Sequence, residues 1–173
     1  MREAIGGTWL FNIVIFFVLL FTAYMALSIN SSKAYAVKNE VLSIIERNQG
    51  FSTKGNDSTL VQIVDYLDSV GYRSVGSCSR KSDNTTKNIY WAGIARDGSF
   101  VENASNRNDM KICVKKIDIV DYDKINNKNE VPYESYYRIE VFYNMDLPVI
   151  GSLIRLSVRG DSARVDYPLG YND

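Results

Sequence analysis

Two cysteines are the side chains of this chain whose chemistry is easiest to interpret. Cys78 and Cys113 are the only cysteines, and they do not form a C-x-x-C pair. The chain also has an apolar run near its N-terminus, described below, that can direct it across a membrane. An even pair of cysteines in such a chain is typical of a structural disulfide. Closing the loop between them would stabilise the folded chain by about 4 kcal/mol in the chain-entropy model. We therefore predict a Cys78–Cys113 disulfide, with two buried free thiols in a reducing compartment as the alternative.

The sequence carries no recognisable catalytic motif. It has no histidine, which excludes Ser-His-Asp and Cys-His nucleophiles, histidine zinc sites and histidine acid–base catalysis. Neither a P-loop, nor G-x-G-x-x-G, nor G-x-S-x-G occurs, and nothing singles out a Ser–Lys dyad. We predict that the protein is not an enzyme and uses no cofactor or small-molecule substrate.

Three weaker motifs have simple structural explanations. Four acidic residues could offer oxygen ligands to calcium, but they lack the glycine and spacing of a calcium loop, and a solvated turn is the preferred interpretation: Asp118, Asp121, Asp123 and Glu130. Arg159-Gly160-Asp161 matches the tripeptide read by integrins, yet it lies in a predicted strand or its turn. Four N-x-[ST] sequons, at Asn30, Asn56, Asn84 and Asn103, are expected by chance in an Asn-rich chain.

The distribution of charge argues against nucleic acid as a partner. The chain has 20 basic and 20 acidic residues, so its net charge is zero. Its lysines are interspersed with acids and form no basic stripe, so we predict no nucleic-acid binding.

An apolar run near the N-terminus determines where the rest of the chain lies relative to a membrane. Residues 9–29 (WLFNIVIFFVLLFTAYMALSI) contain no charge, and a helix of this length crosses a bilayer core of roughly 30 Å. Residues 31–48 continue without Pro or Gly, and their apolar residues form one helical stripe, consisting of Ala34, Val37, Val41, Ile44 and Ile45. We predict one helix over residues 8–48, ended by Gly50 in a left-handed conformation, and expect the stripe to pack on the domain's own sheet.

Two other interpretations of this segment stay open. Ala34-Tyr35-Ala36 has the form of a leader-peptidase site, and cleavage there would release a soluble domain. The helix could also be a plain anchor with a long juxtamembrane extension. Orientation is not decided by charge, since Arg2 precedes the span while Lys33 and Lys38 follow it. The paired cysteines favour a C-terminal domain outside the cytoplasmic membrane.

The remaining residues, 49–173, are enough for one α+β domain. A short helix is predicted over residues 58–70, with Asp57 or Ser58 as its cap. Its apolar stripe consists of Leu60, Val64 and Leu67, thickened by Val61 and Ile63. Period-two alternation then predicts strands, the clearest over residues 137–147 and 154–158, with weaker candidates at 89–94 and 163–167. Between Val114 and Ile117 the alternation changes phase, which indicates a bulge or a strand whose apolar residues change face. Polar stretches at 52–58, 79–88, 102–109 and 123–130 are predicted loops.

The order of these elements resembles type IV pilin architecture. The C-terminal segment YYRIEVFYNMDLPVIGSLIRLSVRGDSARVDYP (residues 136–168) further resembles the paired terminal strands of TadE/TadG-like minor pilins of tight-adherence pili. The resemblance implies a long N-terminal helix packed on an antiparallel sheet, and a role as a structural subunit. It covers the N-terminal helix and this hairpin.

The family also implies processing of the leader, residues 1–7. Prepilin peptidases of such systems cut after a glycine, which places the cut between Gly7 and Thr8. A glutamate commonly stands fifth in the mature chain, and here that position is Asn12. An uncharged amide in hydrocarbon still needs a hydrogen-bond partner, such as a neighbouring subunit's new amino terminus. In the other interpretation, Asn12 is a tolerated polar residue and Gly6-Gly7 a linker.

Two hypotheses of function follow. The first is a pilin-like or pseudopilin subunit of a cell-surface filament, whose partners are the membrane, other pilin-like subunits and an assembly platform. The second is a single-pass anchored extracellular binding domain that does not assemble into a filament.

Overall fold

One long helix, α1 (Arg2–Arg47), dominates the structure. The structure, a computed structural model, describes residues 2–55, 58–78, 91–102, 104, 107–119, 134–147 and 151–166, and it gives the backbone alone for several of them, including 2–6, 145–147 and 151–154. The helix predicted over residues 8–48 is confirmed, but it begins at Arg2. Gly6 and Gly7 weaken a helix without removing its backbone hydrogen bonds, as proline would. The full helix is about 69 Å long at 1.5 Å per residue.

The C-terminal end of α1 differs in one detail from the prediction. Gln49, not Gly50, takes the left-handed position, with φ 53°. Its N–H donates to the Glu46 carbonyl and the Gly50 N–H donates to the Ile45 carbonyl, the paired bonds of a Schellman motif. Gly50 follows at φ 144°, a backbone conformation that favours glycine even more strongly. The glycine is therefore used one residue later than the sequence suggested.

A second helix, α2 (Thr59–Ser69), follows as predicted, and Ser58 rather than Asp57 caps it by accepting from the Val61 N–H. Its buried residues are Thr59, Ile63 and Leu67, so Ile63 and Leu67 of the predicted apolar face are buried and the centre of that face is rotated toward Thr59. The Thr59 hydroxyl donates to the Gly50 carbonyl at 3.0 Å, which turns this side of the helix inward and leaves Leu60 and Val64 half-buried.

Across the described residues, six antiparallel strands form one sheet with the order β2-β1-β3-β4-β5, and β6 pairs with β4 next to the end of β5. The strands are β1 (Trp91–Ala95), β2 (Phe100–Glu102), β3 (Met110–Ile119), β4 (Glu134–Leu147), β5 (Gly151–Asp161) and β6 (Val165–Asp166). The predicted loop over residues 102–109 begins inside β2, a three-residue strand too short for a periodic pattern. The predicted loops at 79–88 and 123–130 lie outside the described residues.

The phase change in β3 is a change of face without a bulge. The β3–β4 register runs unbroken from Ile112↔Val141 to Ile119↔Glu134. Ile112 and Val114 lie on the buried inner face, so alternation puts Ile117 and Ile119 on the other face. Register shifts occur instead between Ile94 and Ala95 and between Met145 and Asp146.

The main core lies between the sheet's inner face and the second half of α1. Its buried residues come from α1, α2, Tyr72 just after α2, and strands β1, β3, β4, β5 and β6, and β4 is the strand with which α1 makes most of its contacts. The expected α+β architecture, a long N-terminal helix packed on an antiparallel sheet, is therefore confirmed.

Candidate functional site

The first half of α1 is an exposed apolar surface. Most of its large apolar side chains are between 42% and 68% exposed, among them Trp9, Phe11, Phe16, Phe17, Leu20 and Phe21, while Ile13 and Leu27 are half-buried. This helix is long and apolar enough to cross a membrane, with a mean hydropathy of 2.4 in its most apolar window and none of that window buried. Length and apolar composition thus favour a single membrane-spanning helix.

The second half of α1, in contrast, is buried against the sheet. Ala34, Val37, Val41, Ile44 and Ile45 are 0–3% exposed and share one core cluster with Ile139 and Val141, against which Tyr143 also packs. The packing expected from the helical stripe is confirmed. Ala34 belongs to the leader-peptidase pattern, so a cut after Ala36 would remove part of this core.

Helix and sheet approach each other closely at Gly160 in β5. A Cβ placed there would lie 2.8 Å from the Lys38 side chain and 2.9 Å from that of Leu42. A larger residue there would force the Lys38 and Leu42 side chains, or the helix itself, to shift. Further along the helix, the Glu46 carboxylate accepts from the Ala163 N–H at 2.7 Å.

A polar contact ties the end of the apolar half to the sheet. The Asn30 side-chain amide donates to the Asn144 carbonyl of β4 at 3.0 Å. The sequence showed Asn30 only as the start of a sequon, and the amide nitrogen that a glycan would use is the one in this bond. The bond could not have been predicted, because its acceptor is a backbone carbonyl 114 residues away.

The residues predicted for processing lie together in the first turns of the described helix. Gly7 and Thr8 are helical, and Asn12 is exposed one turn later. A Cβ added to Gly7 would meet nothing within 4 Å, so steric crowding within the chain does not explain the glycine.

The predicted disulfide joins Cys78 to Cys113, with Cα atoms 5.7 Å apart, within the usual range for a bridge. It belongs to a second small core with Ala95, Met110 and Phe142. Cys113 alternates with Ile112 and Val114 along β3, so this core lies on the sheet's outer face, away from α1. The chain segment after α2 reaches it through paired backbone bonds between Gly76 and Met110.

Ion pairs cross the outer face between β4 and β5. The Arg138 guanidinium donates two bonds to Asp161, at 2.6 and 2.9 Å, and these bonds lower the pKa of the Asp161 carboxyl. Glu140, whose side chain is 8% exposed, accepts from Arg159 at 3.1 Å and from the Ser157 hydroxyl at 2.6 Å.

The Arg159-Gly160-Asp161 tripeptide is therefore part of an extended strand. Both charged side chains are paired across β4, while Gly160 lies under α1. The ion pairs and the close approach of α1 therefore give each of the three residues a structural role.

Metal binding finds no support among the residues that the structure describes, which contain no group of three or more potential ligands. The calcium interpretation rested on Asp121, Asp123, Glu130 and the Asp118 side chain, and these lie outside the described part of the chain.

Comparison with family models, curated proteins and solved structures finds no match to this chain. The resemblance to minor pilins is therefore a prediction from residue patterns, and the geometry of α1 carries the functional argument.

Proposed function

We propose that this protein is a pilin-like or pseudopilin subunit, anchored in a cytoplasmic membrane by the first half of α1 and assembled through it into a cell-surface filament. The observation that carries the proposal is the division of α1. One helix, without a break, has an apolar half whose large side chains are mostly exposed and an amphipathic half that is built into the domain core.

The apolar half requires an environment other than water. Monomeric soluble proteins rarely expose an apolar surface of this size. Lipid tails satisfy it before assembly. In a filament, the same half-helices leave the bilayer and bundle with one another, so that the sheet domains form the outer surface.

Asn12 gives the assembly its polar contact. An amide exposed to hydrocarbon gains from a hydrogen bond with a neighbouring helix. Cleavage between Gly7 and Thr8 would create an amino terminus one turn away, which can reach the Asn12 amide of an adjacent subunit. The domain lies on the non-cytoplasmic side, where a disulfide such as Cys78–Cys113 persists.

Two measurements on the protein from its native membrane test the proposal. N-terminal sequencing is expected to begin at Thr8, whereas a start at Met1 or Arg2 indicates a permanent anchor, and a start at Val37 a secreted domain. A photo-crosslinking residue at Phe16 is expected to give a ladder of covalent multimers of this chain or adducts with other pilin-like subunits. The same residue at Asp97, on the exposed β1–β2 turn, is the matched control.

The crosslinking result also separates the two hypotheses. A chain that is retained in the membrane but yields lipid adducts alone at Phe16 contradicts assembly through the helix. That result favours the single-pass anchored binding domain, which needs the apolar half only as an anchor.

A further inference from the structure

The amphipathic half of α1 carries charged side chains that its own domain does not use. Five charged residues lie between positions 31 and 48. Two of them have partners within the chain, since Lys38 lies over the Tyr35 ring and Glu46 accepts from the Ala163 N–H. The other three, whose side chains form no hydrogen bond or ion pair among the described residues, are Lys33, Glu40 and Arg47.

These three residues, here called the charged row, are seven positions apart and alternate in sign. Seven residues are nearly two turns of helix, so the three side chains lie along one side of α1. Lys33 and Arg47 are exposed, and Glu40 is half-buried. Burial raises the pKa of Tyr66 on α2, and the nearby Glu40 charge raises it further, but a neutral phenol does not balance that charge. Successive charges are about 10.5 Å apart, about one Debye length in physiological salt, so they interact weakly within one copy.

The alternation determines how two parallel copies of α1 can meet. Charged residues that flank a contact between helices set the orientation and register of the partner. Two parallel copies at the same height would place each charge against its own kind. A displacement of seven residues instead places Lys33 of the raised copy against Glu40 of the other, and Glu40 of the raised copy against Arg47. A displacement of fourteen residues brings Lys33 to Arg47, which is again repulsive. Charge complementarity between parallel copies therefore favours one stagger, about 10.5 Å.

We propose that the charged row is a docking surface for the same row on a second copy of this chain, parallel to the first and displaced along α1 by seven residues. Antiparallel copies could also bring opposite charges together, but their spans would point in opposite directions and could not share one membrane. The inference rests on the proposed function, because assembly through α1 supplies the second copy. In a series of copies, each Glu40 lies between Lys33 of the copy above and Arg47 of the copy below.

The stagger couples docking to movement out of the membrane. Two unassembled copies anchored by identical spans lie at the same depth, where their charged rows repel each other. The rows attract after one copy has been raised by about 10.5 Å relative to its neighbour, as happens when half-helices leave the bilayer. Contacts between exposed charges are individually weak and are screened by salt. The charged row therefore sets the register, while the apolar halves supply most of the contact.

Crosslinks between introduced cysteines measure this register in the full-length protein in its native membrane. Ala36 and Ser43 are exposed between the charges and are themselves seven residues apart. Ala36→Cys and Ser43→Cys are made singly and together, and thiols in contact are oxidised with copper phenanthroline. The native cysteines are already bonded to each other. We expect little product from either single variant and a ladder of multimers from the double variant, because position 36 of one copy lies opposite position 43 of the next.

Reversing charges tests whether the charged row selects the register. In the double-cysteine background, Glu40→Lys should reduce the ladder several-fold, because both contacts of this residue then join like charges. Adding Lys33→Glu and Arg47→Glu restores the alternation and should restore the ladder. Glu102→Lys, the same change at an exposed residue of β2, is the matched control and should have no effect. Melting temperatures in detergent check that each variant folds, and Lys33→Glu alone replaces Glu40→Lys if the latter does not.

The outcomes separate this inference from assembly itself. Strong products from the single-cysteine variants would show that the copies meet at the same height, which overturns the inference. A ladder that is unchanged by charge reversal would also overturn it, because the charges would then not set the stagger. If photo-crosslinks form at Phe16 but the double-cysteine variant gives no ladder, assembly stands and the inference is wrong. If neither product forms, assembly through α1 is wrong as well.

Discussion

The two halves of α1 differ in where their apolar side chains find a partner. From Ala34 to Ile45 one face is apolar, and the chain's own sheet covers it. From Trp9 to Ile29 nearly every face is apolar, and most of the large apolar side chains are exposed. A helix with one apolar face can be satisfied by one sheet, whereas a helix that is apolar all round needs lipid or several helices. The periodicity of each half therefore determines whether its partner lies inside or outside the chain.

Charging the buried half should have the largest effect. Val41→Asp together with Ile44→Asp removes two buried aliphatic side chains, each worth about 1.5–3 kcal/mol, and adds two carboxylates without partners. Because the stability of a domain is typically 5–15 kcal/mol, we expect the domain to unfold. Thermal denaturation of the full-length protein in detergent measures this.

Asn39→Asp with Ser43→Asp is the matched control, because it adds the same charge to the exposed side of the same helix. It should leave the melting temperature nearly unchanged. Equal melting temperatures for the two double variants would show that the helix does not stabilise the domain.

Loss of the disulfide should come next. Replacing Cys78 and Cys113 by Ser releases a loop closed across 35 residues and is expected to lower stability by about 4 kcal/mol. This variant sharpens the comparison of the two helix halves, because the disulfide lies on the outer face of the sheet, opposite the face that packs on α1. Denaturant unfolding with and without reductant should show the same loss. Two free thiols in non-reduced protein from its native membrane would contradict the bond.

A charge in the exposed half should leave the domain intact. Leu20→Asp lies at the middle of the apolar run, where an aspartate costs insertion about 3 kcal/mol relative to leucine. We expect less of the variant to resist carbonate extraction from membranes, while its melting temperature in detergent stays the same. Leu20→Phe is the apolar control. A fall in melting temperature would mean that this half also contributes to the folded domain.

Acid should have the smallest effect. Hydrogen bonds from Arg138 lower the pKa of the Asp161 carboxyl in the folded protein. The stabilisation is therefore complete above the ordinary aspartate pKa of about 4 and decreases as the pH falls through the lower folded value. Because both side chains are 40–45% exposed, the loss should be below about 1 kcal/mol. Unfolding measured from pH 6 to pH 2 should show a weaker acid dependence for Asp161→Asn, and equal slopes would show that the pair contributes nothing.

The sequence predicted the elements that depend on a long, regular pattern. The stripe from Val37 to Ile45, the cap at Asp57 or Ser58 and the alternation of β4 each involve residues close together in the chain. The contacts between α1 and the hairpin could not be predicted in the same way. Asn30 bonds to a main-chain carbonyl, and Gly160 is required by the proximity of Lys38 and Leu42. Neither contact leaves a pattern in the local sequence, because each depends on how distant elements meet.

The unbroken course of α1 has a mechanical consequence. No glycine or proline lies between Thr8 and Asn48, and contacts with the sheet domain hold the helix from Asn30 to Glu46. The domain and the membrane-spanning half of α1 therefore behave as one rigid unit, with no flexible joint between them. A lateral force on the domain therefore tilts the membrane-spanning half of α1, and a torque on the domain rotates this half about its own axis. The angle between the sheet and the span is therefore the same in every copy, whatever the tilt of the span in the membrane.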